Sequence, residues 1–475
     1  MTRLVVVSNR LPHLPSSGAL DDHRMPVGGL ATGMRGALRK RTGSLWFGWS
    51  GAVVPVGEEG RLVKGTMEGI QVAGLPMTQR EISSSYRGFC NEVLWPLFHG
   101  FPEKMRIDRD QETCYREVAA RFASTLRPML RSGDTIWIHD YHFISLGREL
   151  RRLGWTGPLG YFLHIPFPPY DLWQLLPEPR DFLEAMHHYD LVGFQTMTSL
   201  DNYVYCCKRL LNARRDGARL VAGGRRQRAG VYPIGIDPTV FLPREETSRG
   251  RGRRGELTRV IRGRRLILGV DRLDYTKGIP ERILAFESLV KRFPEWRKKV
   301  SFVQIASPSR SRVRGYVEQK RRVDHLVGRV NGELADHDWV PIRYLYRSYP
   351  TETLARFYRE AAVGLVTPLR DGMNLIAKEF VAAQDPESPG VLVLSRFAGA
   401  AEELLDAVLV NPYIPADAAS GIARALSMPL QERRRRHAAL LGTVLKATAD
   451  AWSRGFLEDL ARETRARTPA RTRRG

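Results

Sequence analysis

Residues 366–379 read VTPLRDGMNLIAKE. The apolar run carrying Val363, Leu365 and Val366 predicts a strand that ends at Pro368. A short loop follows with Arg370, Asp371 and Gly372, and a helical segment opens near Asn374 and holds Glu379. A strand, a Gly-bearing loop and a helix N-terminus make an anion site, because loop N–H groups and the positive end of the helix dipole favour a phosphate. Asp371 and Glu379 add acceptors for sugar hydroxyls, and the combination suits a nucleotide sugar.

A second strand-end segment, GVDRLDYTKGIPER at 269–282, places Arg272 and Lys277 just ahead of a helix near Gly278. Open α/β sheets bind ligands at the C-terminal ends of their strands, and two fixed cations there suit a diphosphate leaving group. The plainer reading is that Arg272 pairs with Asp271 or Asp274 on the surface. The Asp-Gly loop at 371–372, at another strand end, favours the functional reading.

The apolar runs are short and alternate with helical patterns, the signature of doubly wound parallel sheets. In the first half, strands are expected near 4–7, 135–138, 159–163, 191–194 and 230–233, with helices near 112–130, 144–153 and 198–211. In the second half, strands are expected near 265–270, 300–305, 342–344, 363–366, 391–394 and 407–410. Helices near 279–291, 313–330, 352–361 and 375–383 separate them. The pattern occurs twice, so two Rossmann-like domains are expected. At roughly 150 residues per domain, 475 residues allow two or three. The expected division is 1–240, completed by a C-terminal helix at 453–475, and 241–452. A helical segment at 431–460 carries Trp452 and Phe456 on its apolar side, and the Arg/Thr-rich tail from Arg462 is expected to fray.

In the first half, Arg10 follows the first strand in SNRLP, and VGGLATG at 27–33 sets Gly28 and Gly29 before a helix. Such a pair is a tight turn by default, yet it also lets backbone approach a phosphate closely. WIHDYH at 137–142 puts Asp140 and His142 at a strand end, exposed at the sheet edge. FLHIPFPP at 162–169 does the same for His164, where two prolines fix the loop. Tyr86 and Trp95, in YRGFCNEVLWP at 86–96, read as aromatics of an irregular segment, either core or the lining of a sugar pocket.

The net charge is +23, and 63 Arg stand against 11 Lys. That imbalance fits high-GC coding, while a few specific arginines fit anion binding. The Arg-rich runs at 209–228 and 244–265 lack aromatic interleaving and any nucleic-acid-binding motif, so they read as solvated loops or a hairpin. The cysteines Cys90, Cys114, Cys206 and Cys207 form no CxxC pair and have no histidine at metal-ligand spacing. They read as thiols of a reducing compartment. The four-residue apolar run at 4–7 is a strand and not a signal peptide, and no window approaches a membrane span. A cytoplasmic protein is expected. The VGGLATG stretch is not GxGxxG, so it is no nicotinamide fingerprint, and Walker A, GxSxG and HExxH motifs are absent from the sequence.

The motifs LWFGWSG, LWPLFH, WIHDYH, FLHIPFP, DLVGFQT, VYPIGID, DRLDYTKG and TPLRDGMNLIAKEFVAAQ together resemble the trehalose-6-phosphate synthases, retaining glucosyltransferases of family 20. The resemblance runs from Ser8 to about Leu460. It implies an α/β GT-B fold, two Rossmann-like doubly wound parallel-sheet domains facing across a cleft. It also implies glucosyl transfer from UDP-glucose to glucose 6-phosphate, giving trehalose 6-phosphate and UDP. By matched position, Arg272 and Lys277 would hold the donor diphosphate, with Gly29 and the N–H groups around Asn374 and Leu375. Glu379 would accept the ribose hydroxyls. Asp371, Gly372 and Met373 would hold the donor glucose, with His164 opposite, and Tyr349 would lie near the uracil. Arg10, Tyr86, Trp95 and Arg310 would bind the acceptor phosphate, and Asp140 an acceptor hydroxyl. On that resemblance Arg272, Lys277, Asp371, His164 and Asp140 would form the catalytic set.

The family implies retention without a protein nucleophile and needs no metal, because the cations replace it. No cofactor is expected, the expected partners are small-molecule substrates with neither a specific nucleic acid nor a membrane, and a homo-oligomer is expected. The chain departs from the family pattern at Pro169 and after FQT, where an acidic residue is common. Its Arg-rich insertions are its own. The alternatives are a sister enzyme making glucosylglycerol phosphate from ADP-glucose and glycerol 3-phosphate, a non-catalytic nucleotide-sugar sensor, and a nucleic-acid binder.

Overall fold

The computed structural model describes residues 3–11, 34, 37–38, 43–243, 259–310 and 313–467. The chain divides into two compact units, Met1–Ile234 with Ala449–Gly475, and Gly235–Thr448. Gly28, Gly29 and most of the Arg-rich stretch at 244–265 lie outside the described residues.

The second unit carries a six-stranded sheet: β11 (Arg265–Arg272), β12 (Val300–Ser307), β13 (Ile342–Leu345), β14 (Val363–Val366), β15 (Val391–Ser395) and β16 (Val408–Val410). Its order is β13-β12-β11-β14-β15-β16 and every pairing is parallel. Residues 266–271 of β11 are buried on both faces, as strands sandwiched between helices must be. Ile283, Phe286 and Leu289 of the helix Ile279–Arg292 fill one side with Ile267, Phe302 and Val363. The chain lays β11, β12 and β13 outward, then returns to build β14, β15 and β16 on the other side. The reversal makes a topological switch point between β11 and β14, where such sheets hold ligands.

The first unit carries ten strands in the order β3-β4-β2-β1-β5-β6-β7-β10-β9-β8. Its parallel core comprises β1 (Leu4–Arg10), β2 (Leu45–Val54), β4 (Ile70–Thr78), β5 (Thr135–His139), β6 (Leu159–Phe162), β7 (Leu191–Phe194) and β10 (Arg225–Val231). β3 (Val63–Met67) pairs antiparallel at one edge. At the other edge β8 (Arg214–Asp216) and β9 (Arg219–Ala222) form a meander with β10, so the basic run at 209–228 folds largely as hairpins. Here the switch point falls at β1, between β2 and β5.

Four expectations change. β2, β3 and β4 were not expected as strands, because glycines interrupt their apolar runs. Gly48 and Gly74 are the reason the strands can close up: a Cβ at Gly48 would stand 2.2 Å from the Ser8 carbonyl, and one at Gly74 would stand 2.7 Å from Ser50 Cβ. The segment holding Tyr86 and Trp95 is regular, not irregular. Glu81–Leu94 is a wide π-helix that runs into the α-turn Trp95–Phe98, and π geometry is frequent at functional sites.

The segment at 431–460 is two helices, Leu430–Lys446 and Ala449–Arg467. Ala447 leaves helical geometry, and Thr448 bridges to Ile236. A Cβ on Gly235 would meet the Ala447 carbonyl at 1.7 Å, so only glycine lets these backbones pass. Nor does the helix fray at Arg462. It continues to Arg467, and Glu463 is held by Arg219 at 2.8 Å and by Arg228 at 3.5 Å.

The helix Ala449–Arg467 belongs to the first unit and presses Trp452 and Phe456 against Trp137, with ring centroids 4.8 Å away in each pair. Among the described residues, no helix is long and apolar enough to cross a membrane.

Candidate active site

In the second unit, β11 delivers Arg272 at its last position, exposed beyond the sheet edge. The chain then makes a tight turn, Tyr275–Lys277, capped by the Asp274 side chain, which accepts from the Thr276 N–H at 3.0 Å. Gly278 follows at φ +65°, and a Cβ there would stand 2.5 Å from the Thr367 carbonyl. This close pass brings the loop after β11 against the loop after β14. Leu369 N–H donates to the Thr276 carbonyl at 2.8 Å, which locks the two loops together.

Across that junction Lys277 Nζ lies 2.5 Å from Asp371 Oδ2. The same carboxylate accepts from the Gly372 N–H at 3.0 Å and from Asn374 Nδ2 at 3.0 Å. Asn374 takes the left-handed conformation, φ 73°, which asparagine tolerates. The helix Leu375–Ala383 starts behind it with no side-chain cap on its first N–H groups. The Asn374 Oδ1 atom is buried without a hydrogen-bond partner. Met373 is buried, and its carbonyl accepts from Ala400 N–H at 2.8 Å. One turn into the helix, Glu379 accepts from the Tyr358 hydroxyl at 3.1 Å. Burial pushes its carboxyl up to about 7.

Neither acid offered as a surface partner for Arg272 is a surface group. Asp271 is buried against Arg282, at 2.6 Å. Asp274 is fully buried, accepts from the Tyr316 hydroxyl at 2.9 Å and lies 3.5 Å from Arg310. Burial disfavours its charge, but Arg310, Arg272 and Lys277 outweigh that and hold the carboxyl below its usual value. Arg310, itself at φ 45°, follows β12 and so belongs to the second unit. Tyr349 stands before the helix Thr351–Glu360, its ring edge-on to Phe357 at 5.3 Å.

In the first unit, a bulge between Ser8 and Arg10 re-aims the end of β1. The Arg10 guanidinium lies 5.2 Å from the Trp49 ring centroid, and burial lowers its pKa. Trp49 in turn meets Tyr86 at 5.7 Å, and Tyr86 stacks on His142 at 5.9 Å. His142 is therefore half-buried, not exposed. Trp95 is only 4 % exposed and packs on His99 and Tyr141.

Asp140, also half-buried, adopts φ 71° immediately after β5. Its carboxylate accepts from the backbone N–H of His164, at 3.2 Å, immediately beyond β6. The His164 ring lies between two polar groups: His139 Nδ1 is 3.0 Å from its Nε2, and Gln195 Nε2 is 3.3 Å from its Nδ1. Burial holds the His164 ring neutral, with a pKa lowered to about 3.

The structure thus gathers Arg272, Lys277, Asp371, Gly372, Asn374, Leu375 and Glu379 around one switch point. It sets Arg10, Tyr86, Asp140 and His164 along the strand ends of the other sheet. Gly29 lies outside the described residues. Three residues escaped the sequence reading: Arg282, which ties both loops of the second unit together, and His139 and Gln195, which hold His164. The signal for the last two was present, since they stand inside WIHDYH and DLVGFQT.

The model for glycosyltransferase family 20 matches residues 2–462. A trehalose-6-phosphate synthase of Sinorhizobium fredii is 43 % identical over 461 residues, covering 97 % of this chain and 98 % of its own. An α,α-trehalose-phosphate synthase (UDP-forming) from Burkholderia xenovorans, solved in complex with glucose-6-phosphate, is 41 % identical with a TM-score of 0.89, covering 97 % of this chain and all of its own. The E. coli protein bound with UDP-2-fluoro glucose is 40 % identical with a TM-score of 0.89, covering 97 % and 99 %. Two parallel-sheet α/β units with these strand orders, and similarity along nearly the whole chain, place the protein in glycosyltransferase family 20, with the GT-B fold.

Proposed function

We propose that this chain transfers glucose from UDP-glucose to glucose 6-phosphate with retention, giving trehalose 6-phosphate and UDP. The observation that carries the reading is the β11/β14 switch point, where two cations, a carboxylate and an uncapped helix start converge. Relatives with the same architecture include a trehalose-6-phosphate synthase and an α,α-trehalose-phosphate synthase named as UDP-forming, and two were solved with UDP-2-fluoro glucose or with glucose-6-phosphate.

Arg272 and Lys277 neutralise the diphosphate, and the N–H groups at the start of the helix Leu375–Ala383 add dipoles where charge develops. The Lys277 ammonium has three donors, so it can keep Asp371 and still reach a phosphate oxygen. Asp371, with Gly372 and Met373, holds the glucose hydroxyls. Glu379 takes the ribose and Tyr349 borders the base. Arg10, Tyr86, Trp95 and Arg310 hold the acceptor phosphate, Asp140 takes an acceptor hydroxyl, and His164 faces the donor sugar. The acceptor hydroxyl bonds to the anomeric carbon on the face from which the diphosphate leaves. The bond from that carbon to the phosphate oxygen breaks, and the hydroxyl proton passes to the departing phosphate. No side chain acts as nucleophile in this scheme.

The test is a panel of UDP-, ADP- and GDP-glucose against glucose 6-phosphate and glycerol 3-phosphate, with released nucleotide measured. UDP release with glucose 6-phosphate is expected. Preference for glycerol 3-phosphate would overturn the acceptor, and absence of release would leave a sensor. The four buried cysteines fit a reducing cytoplasm, and we place the enzyme there as a homo-oligomer. Sedimentation measures the latter.

A further inference from the structure

The proton on His164 is dictated from outside its own ring. Gln195, the first residue after β7, accepts from the Ile234 backbone N–H through its Oε1, at 2.9 Å. An amide turned the other way would set NH₂ against that N–H, so the orientation is fixed. The amide nitrogen must then donate to His164 Nδ1. A histidine that accepts at Nδ1 carries its proton on Nε2, and that proton points to His139 Nδ1. His139, fully buried at the end of β5, accepts there and keeps its own proton on Nε2. Direction therefore runs one way along four groups: Ile234 backbone with Gln195, Gln195 to His164, His164 to His139.

We propose that Gln195 is a positioning residue that fixes His164 as the neutral Nε2–H tautomer, with His139 as the acceptor of that proton. The purpose follows from the reaction, and the inference rests on the reading that His164 faces the donor sugar. Glucosyl transfer builds positive charge on the anomeric carbon and ring oxygen. An imidazolium beside that carbon would oppose the charge at the transition state and not in the ground state, so it would lower kcat more than it raised KM. The titratable groups facing His164 are His139 from β5 and Asp140 from the loop beyond it. Gln195 and the Trp452 ring, 5.8 Å away on the C-terminal helix, bring no charge.

Gln195→Glu separates this role from simple packing. It is isosteric and still accepts from the Ile234 N–H. Its second oxygen can only accept, so His164 Nδ1 must gain a proton. Histidine ¹⁵N spectra of the whole protein, with the His164 signal assigned by a His164→Asn sample, should show Nε2 protonated and Nδ1 bare at neutral pH in the wild type. Gln195→Glu should show Nδ1 protonated at the same pH, either as the Nδ1–H tautomer with Nε2 accepting from His139 or as a doubly protonated ring. Its kcat should fall roughly 10- to 100-fold, the range for losing an orienting partner. KM for glucose 6-phosphate should hold.

A wild-type His164 found with its proton on Nδ1, or doubly protonated, would overturn the proposal without any variant. So would a Gln195→Glu protein whose His164 carries a proton on Nδ1 while kcat is unchanged, or one whose His164 keeps Nδ1 bare. The spectra need no substrate, so a failed tautomer assignment is distinct from a failed nucleotide-sugar assay.

Discussion

Lys277 and Asp371 are 94 residues apart and 2.5 Å apart, one in the loop after β11 and the other in the loop after β14. Their pairing sets a cation at the switch point before any substrate arrives. Lys277→Ala should lower turnover roughly 100-fold or more, the usual cost of removing one group that stabilises developing charge. Arg272→Ala should do the same. Asp371 keeps its hydrogen bonds from Gly372 and Asn374, so circular dichroism should show an intact fold. Near-normal release of UDP by either variant would remove both cations from the diphosphate.

Glu379 makes both stability and donor binding depend on pH. Its ordinary value is 4.5, and burial raises it to about 7 in the folded chain. Between those values the folded state holds a proton that the unfolded chain has lost. The contribution to stability is therefore complete below about 4.5 and lost as pH rises through about 7. Glu379→Gln should melt higher than wild type at pH 8, with the gap closing toward pH 5. Ribose hydroxyls donate to an ionised carboxylate, so UDP-glucose should bind the wild type more tightly as pH rises through about 7. Glu379→Gln should lose that dependence in calorimetry.

The parallel core was legible because its strands are short, apolar and set apart by helical periodicity. The helix Leu375–Ala383 can be read to the residue, since Pro368 and Gly372 stop what precedes it. β2 and β4 were hidden because Gly48 and Gly74 answer to neighbouring strands, a constraint no local pattern displays. The cations at 272 and 277 were legible as strand-end charges. Arg282 was not, because it sits on a helix face where an arginine ordinarily reaches solvent. Gln195 stands inside the DLVGFQT motif, but its role could not be read there: its amide gains meaning only from Ile234 and His164, which sequence distance keeps apart.

Arg282 is 1 % exposed and holds Asp271 at 2.6 Å, Gln304 at 2.9 Å, Thr367 at 3.1 Å and the Lys277 carbonyl at 3.2 Å. Gly269 makes the room, since a Cβ there would stand 2.7 Å from the guanidinium. Arg282→Met should cost ~3–5 kcal/mol, because it leaves Asp271 buried without its cation. Adding Asp271→Asn should recover part of that loss, and denaturant titration of the single and double variants measures the coupling. Arg282→Lys should rescue poorly, since one ammonium cannot span the partners that a guanidinium fork reaches.

Phe456 is fully buried on the C-terminal helix and stacks on Trp137 at 4.8 Å with 15° between the ring planes. Its ring occupies the space left by Gly160 and Gly193 on β6 and β7, where added Cβ atoms would stand 2.7 Å and 2.8 Å from it. Phe456→Ala should cost ~3–5 kcal/mol by leaving a cavity. Gly160→Ala should cost ~1–3 kcal/mol by overpacking the same contact. The two changes act on one volume in opposite senses, so the methyl of Gly160→Ala should enter the space vacated in Phe456→Ala. The double variant should then be more stable than the sum of the singles allows, as read from urea midpoints by tryptophan fluorescence. Strict additivity would mean that the helix does not seat Phe456 against β6, and that the glycines of the strand serve some other neighbour.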